Sequence, residues 1–212
     1  MTDATFDYAH GDPYHLHGGR PHEGPASKRI VTGYGFWLFL LSDIIIFSCF
    51  FAAYAVLHGQ IADGPKASEL FDLRSVAAET AFLLASSFIC GLAMIAADVR
   101  NAFWFQIGMA VTGLLGLGFL ALEFREFADL VGRGAGPTRS AFLSSFFTLV
   151  GCHGAHVSAG ILWLLTMMAQ VFAKGFRADI MRRLLCFALF WHVLDIIWVA
   201  IFSVVYLIGS GA

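Results

Sequence analysis

Residues 184–208 read LLCFALFWHVLDIIWVAIFSVVYLI, with no Lys, Arg or Glu and a single Asp, Asp195. A bilayer core of about 30 Å takes about 20 mostly apolar residues as helix. Only a segment that satisfies its own backbone hydrogen bonds survives there. The stretch therefore predicts a transmembrane α-helix. Working outward toward the N-terminus, residues 141–173, 103–122, 76–97 and 31–57 meet the same requirement. The predicted fold class is all-α: a polytopic membrane bundle of five transmembrane helices occupying residues 31–212. At 1.5 Å per residue the stretch 141–173 is roughly 50 Å long, so it must tilt or protrude. The link Asp98 to Ala102 is so short that the second and third spans must form an antiparallel hairpin.

Composition agrees with hydrocarbon as the solvent. Of 212 residues, 58% are hydrophobic and 13% charged, against about 45–50% and 25% in soluble domains. Mean hydropathy is +0.75. A net charge of −2 leaves no basic patch to neutralise phosphates, which argues against nucleic acid as a partner. Cys49, Cys90, Cys152 and Cys186 all fall in apolar runs without Cys-x-x-Cys spacing, so they read as small packing residues rather than a disulfide framework. There is no phosphate loop of the Gly-x-x-x-x-Gly-Lys-Ser/Thr type, no Gly-x-Ser-x-Gly elbow and no His-Glu-x-x-His helix. No internal repeat points to a transporter.

Residues 1–30 are polar, rich in Gly, Pro, Asp and His, and predict a disordered arm. They contain no short apolar core of a cleavable signal peptide. His10, His15, His17 and His22 make it either a metal-binding tract or a solvated tail titrating near neutral pH. Loop charges set orientation. With the arm in the cytoplasm, the inner segments carry Arg20, Lys28, Arg29, Arg100, Lys174, Arg177, Arg182 and Arg183, and the outer ones Lys66, Arg74, Arg125, Arg133 and Arg139. That bias puts the N-terminus in the cytoplasm and the tail after Ile208 in the periplasm.

Seven polar residues do not belong in lipid. Asp43 sits in the middle of the first span, Glu79 opens the second and Glu123 closes the third. His153 and His156 lie in the fourth, His192 and Asp195 in the fifth. A central charge facing lipid costs about 2.5–3.5 kcal/mol on insertion scales, so each is expected to face the bundle or a partner protein. Both fifth-span residues, and both histidines of the fourth, stand at i, i+3 and so share a helical face. The pair His192 and Asp195 is expected to join the fifth helix to the fourth through His153 or His156. Gly151, Ala155 and Ala159 form a small-residue stripe that suits close helix approach, and Gly113, Gly116 and Gly118 read as packing positions. Trp104 and Tyr206 lie near span ends, where interfacial aromatics are common. Three chemistries remain open for the polar set: a haem or metal site using His153 with His192, a proton path through Asp43, Glu79, Glu123 and Asp195, or satisfied interhelical hydrogen bonds.

Two runs carry a resemblance. Gly151-Cys-His153-Gly-Ala-His156-Val resembles the Gly-x-His-Gly-x-His-Val signature of subunit III of haem–copper oxidases, and Trp191-His192-Val-Leu-Asp195-Ile-Ile-Trp198 resembles that family's Trp-His-Phe-x-Asp-x-x-Trp signature. Gly136-Pro137-Thr-Arg139-Ser140 looks like the approach to its penultimate helix, and Gly35-Phe-Trp37 with Ser42-Asp43 like the first helix of its shorter members. The likeness covers about residues 30–210. Five helices behind a His-rich arm is the pattern of the cytochrome bo-type ubiquinol oxidase members. The resemblance implies a non-catalytic accessory subunit with no haem, copper or quinone site of its own; haem and copper belong in the catalytic subunit I it docks against. It also implies bound phospholipid and support of the catalytic subunit during turnover. The equivalent subunit of a cytochrome c oxidase is the alternative, ahead of a haem-carrying anchor or a transporter. Ala155 departs from the Leu common in the family, and the family's carboxylate near its third helix matches either Asp72 or Glu79.

Overall fold

The computed structural model describes residues 28–59 and 73–208. The expected arm, its four histidines, Asp72 and the tail after Ile208 lie outside those residues, apart from the end of the arm at 28–30. Five helices follow in order: α1 (Lys28–Leu57), α2 (Leu73–Asp98), α3 (Ala102–Gly132), α4 (Ala141–Lys174) and α5 (Ala178–Ile201), the last continuing as a π-helical turn over Phe202–Ile208. All five are long and apolar enough to cross a membrane.

α2 and α3 form the expected hairpin. Arg100 takes a left-handed φ of 56° in the turn, and the Asn101 side chain accepts the Trp104 backbone N–H to start α3. The two helices pack closely because Gly108 faces Ala93: a Cβ on Gly108 would lie 2.8 Å from that of Ala93. Just past the end of α3, Gly134 (φ 75°) closes the helix, with Ala135 N–H bonded to Leu130 O and Gly134 N–H to Val131 O, the pattern that needs a left-handed residue there. Ser140 then caps α4 by accepting the Leu143 N–H at 3.2 Å.

α5 is the axis of the bundle, packing against α1, α2 and α4, while α3 bridges α2 and α4. Gly116 on α3 and Gly160 on α4 make room for Trp191: a Cβ at either would come within about 3 Å of its ring. Gly113 and Gly118 also meet side chains, of Leu164 and Phe82.

Four expectations need correction. α3 does not end at Glu123 but runs nine residues further, to Gly132, because Arg125 and Asp129 take exposed positions on it while Glu126 turns inward to Tyr206. Glu123 is thus buried mid-helix, and Glu79 lies nearly two turns inside α2 rather than at its opening. Ala155 and Ala159 point outward; the close approaches on α4 are at Gly154 and Gly160. Tyr206 is not an interfacial aromatic: the π-helical turn carries its ring inward to full burial.

Candidate functional site

Two groups of buried polar residues lie near Trp198, with His153 housed apart from both. The first is a carboxyl chamber. Glu79 from α2 is fully buried and Glu123 from α3 is 3% exposed. Glu126, one turn beyond Glu123, accepts a hydrogen bond from the Tyr206 hydroxyl at 3.2 Å. The three carboxyls lie within electrostatic reach of one another and of Tyr206. The Glu123 carboxylate rests on Gly154 of α4, where a side chain would displace it. Both Glu79 oxygens and Glu123 Oε2 have no hydrogen-bond partner among the described residues.

The second group is the join between α5 and α2. Trp191 Nε1 donates to Ser86 Oγ at 3.2 Å. His192 Nδ1 lies 2.6 Å from Ser87 Oγ, and the Asp195 carboxylate is within reach of the same hydroxyl and of the His192 ring. One turn on, Trp198 Nε1 donates to Thr80 Oγ1 at 3.1 Å. Thr112 of α3 donates to Gly108 O of its own helix at 2.9 Å and reaches Ser86 O of α2 at 3.5 Å. Trp191, His192 and Trp198 of this run are therefore directed at hydroxyls of α2, while Asp195 beside them keeps Oδ1 buried with no hydrogen-bond partner among the described residues. The expected link to α4 is corrected: His192 and Asp195 face α2, because α5 turns that side away from the histidines of α4.

Those histidines are housed separately. His153 is fully buried between Trp198 (ring centroids 5.2 Å), Phe119 (5.7 Å) and Phe47 (6.3 Å). Neither ring nitrogen meets a partner among the described residues. His156 turns Nδ1 back to the Cys152 carbonyl oxygen at 2.8 Å and packs on Phe47 at 5.2 Å. Asp43, half-buried on α1, lies near Cys152. The four acids of the candidate proton path thus sit in three places: Glu79 with Glu123, Asp195 with Ser87 and His192, and Asp43 beside Cys152. Among the described residues no three His, Cys, Asp or Glu side chains converge as a metal-ligand set.

Sequence reasoning missed Thr80, Ser86, Ser87, Glu126 and the inward role of Tyr206. Glu126 was findable, at i+3 from Glu123. The hydroxyls of α2 were not, since Ser and Thr are ordinary in spans.

This layout has relatives. The family profile described as cytochrome c oxidase subunit III matches residues 21–210. The chain belongs to that family. It is 47% identical over 192 residues to the cytochrome bo(3) ubiquinol oxidase subunit 3 of Pseudomonas aeruginosa, covering 91% of this chain and 92% of that one. Over 175 residues it is 45% identical to the protein of the same name in Buchnera aphidicola, covering 82% and 90%. It is 40% identical to a probable quinol oxidase subunit 3 of Staphylococcus saprophyticus, covering 90% and 92%. As a subunit III chain, it carries the two family runs on the helices where they pack α5 into the bundle.

Proposed function

We propose that this chain is the non-catalytic subunit III of a ubiquinol oxidase that reduces oxygen to water in the aerobic respiratory chain. It sits in the bacterial inner membrane beside the catalytic subunit I, which holds the haem and copper. The observation that carries this reading is similarity over nine-tenths of both chains to a ubiquinol oxidase subunit 3. The site geometry is in keeping with a role in packing: Trp191, His192 and Trp198 of α5 are directed at hydroxyls of α2. The orientation follows loop charge, with the N-terminus cytoplasmic and the C-terminus periplasmic.

Phospholipid fits a cavity of 480 Å³ between α2 and α5. Asp98, Arg182 and His192 line it together with Gly91, Met94, Leu185 and Leu189. A phosphate pairs with Arg182 while an acyl chain follows the apolar wall.

A mild-detergent purification of the chain from its native membrane tests the reading. The expected product is a haem- and copper-containing complex that oxidises ubiquinol and leaves reduced cytochrome c untouched. The name of the matching family favours one alternative, a cytochrome c oxidase. A complex that oxidises cytochrome c would decide for it.

A further inference from the structure

α5 departs from α-helical geometry at one place, beside the buried acids. Continued as α-helix, the chain would set Tyr206 about 80° around the axis from Trp198. The π-helical turn Phe202–Ile208 closes i→i+5, so each residue advances less, and such turns are frequent at functional sites. Tyr206 is thereby carried over Trp198, with ring centroids 6.3 Å apart, and onto Phe146 of α4 at 6.0 Å. Tyr54 of α1 fastens the turn by donating to Val205 O at 3.4 Å. The turn thus delivers a hydroxyl to Glu126, at 3.2 Å.

Behind Tyr206 lie two acids without partners. Glu79 is fully buried, and neither of its oxygens has a hydrogen-bond partner among the described residues. Glu123 leaves Oε2 in the same condition. Neither acid pairs with a described Lys, Arg or His. The titratable groups within reach of Glu79 are Glu123 and Glu126 of α3 and Tyr206 of the π-helical turn. α4 sets the bare Gly154 against Glu123, and its His153 is enclosed by Phe47, Phe119 and Trp198. A carboxylate buried without a donor or a cation is strongly disfavoured, and a second one beside it more so. A proton removes both penalties. Packing alone does not call for acids here, since apolar side chains would fill the same space without the cost of burying a polar group.

We propose that Glu79 and Glu123 form a proton-binding site that exchanges with water at the Gly132 end of α3, through Glu126 and the Tyr206 hydroxyl. The proton comes from that water and returns to it, and only O–H bonds are made and broken. Glu126 is half-buried between the exposed Arg125 and Asp129 and the buried Glu123. A carboxyl and a hydroxyl can each donate and accept, as a relay to the interior requires. This role goes beyond that of an accessory subunit and is the same for either electron donor.

The test uses the whole oxidase and infrared difference spectra of the wild type against Glu79→Gln and, separately, Glu123→Gln. The expected result is a carboxylic-acid carbonyl band lost in at least one of the two variants. In the wild type that band should shift on transfer to D2O and change amplitude as pH is stepped. Tyr206→Phe keeps the ring and its packing, so the content of this chain in the complex should hold while the D2O shift slows at least tenfold. Three results would each overturn the proposal: no band assignable to either acid, a band that neither D2O nor pH alters, and exchange in Tyr206→Phe as fast as in the wild type. If one Gln variant fails to assemble, the other and Tyr206→Phe decide between these outcomes.

Discussion

α1 and α5 are equally hydrophobic, yet 11% of the residues in the α1 span are buried against 61% in that of α5. Lipid asks the same thing of both, which is why hydropathy finds both and ranks neither. What separates them is the demand for partners. α5 carries Trp191, His192, Asp195 and Trp198, four side chains with polar atoms that lipid cannot satisfy, and it sits at the centre, with partners for them on α2. On α1, Ser42 and Ser48 bond carbonyls of their own helix, leaving Asp43 as its one mid-span charge, and the helix packs mainly on α4 and α5 with most of its surface outward. In a membrane there is little hydrophobic force between helices, and packing with interhelical hydrogen bonds decides who is central. Matched substitutions on the two helices should therefore diverge.

The largest divergence is expected for tryptophan. Trp198 is fully buried, lies 4.6 Å from the Phe119 ring and 5.2 Å from His153, and holds Thr80. Trp198→Ala should cost about 3–5 kcal/mol, the range for deleting a core aromatic. Trp37 on α1 is 42% exposed, and Trp37→Ala should stay within about 0.5 kcal/mol. The thermal midpoint for loss of this chain from the purified complex reads both. Equal losses would mean that α1 is buried in the assembly as deeply as α5, and the comparison drawn from the single chain would fail.

A sharper version uses one substitution with opposite signs. A Cβ at Gly160 would lie 2.9 Å from Trp191 Cζ3 and 3.2 Å from Phe190 Cε1, so Gly160→Ala forces two buried rings to move, at about 1–3 kcal/mol. A Cβ at Gly35 on α1 meets nothing within 4 Å. Gly35→Ala should instead stabilise the helix by roughly 0.5–1 kcal/mol, since Gly gives up the most backbone entropy on folding. The same thermal measurement should move down for one and up for the other.

These contrasts mark where the sequence is legible. The five spans and the Asp98–Ala102 turn follow from length and apolarity alone, and α4 ends within a residue of expectation. The end of α3 does not, because a hydropathy reading stops at the first charges while the backbone helix continues through Arg125, Glu126 and Asp129 to its glycine cap. The site is legible in half. Spacing puts His192 and Asp195 on one face, but nothing in a linear spacing says which helix that face meets. The choice of α2 rests on Ser86, Ser87 and Thr80, whose hydroxyls look the same in sequence as Ser42 or Ser48, which merely bond carbonyls of their own helix. The stripe Gly151, Ala155 and Ala159 was as good a packing motif on paper as Gly154 with Gly160. Only the position of the Glu123 carboxylate and the Trp191 ring distinguishes them.

The smallest expected difference tests the site itself, through two Ser→Ala changes. Ser87 Oγ meets His192 Nδ1 at 2.6 Å across helices and serves Asp195 as well. Ser42 Oγ donates to Phe39 O at 2.6 Å within α1. Interhelical hydrogen bonds in membranes average about 0.6 kcal/mol and reach about 1.7, so Ser87→Ala should lower the thermal midpoint slightly. Ser42→Ala, whose lost acceptor keeps its backbone partner, should leave it unchanged. The same Ser87 variant separates a structural join from a proton relay. If Ser87, His192 and Asp195 hold α5 on α2, subunit content falls a little and the initial oxygen consumption per catalytic subunit is that of the wild type. If they pass protons, the hydroxyl is a link in the chain, and its removal slows initial turnover with the complex fully assembled. The geometry favours the first outcome, since the hydroxyl is shared by both side chains and the neighbouring Trp191 and Trp198, which carry no titrating proton, are bound to α2 in the same way. A tenfold loss of initial rate at full subunit content would reverse that conclusion.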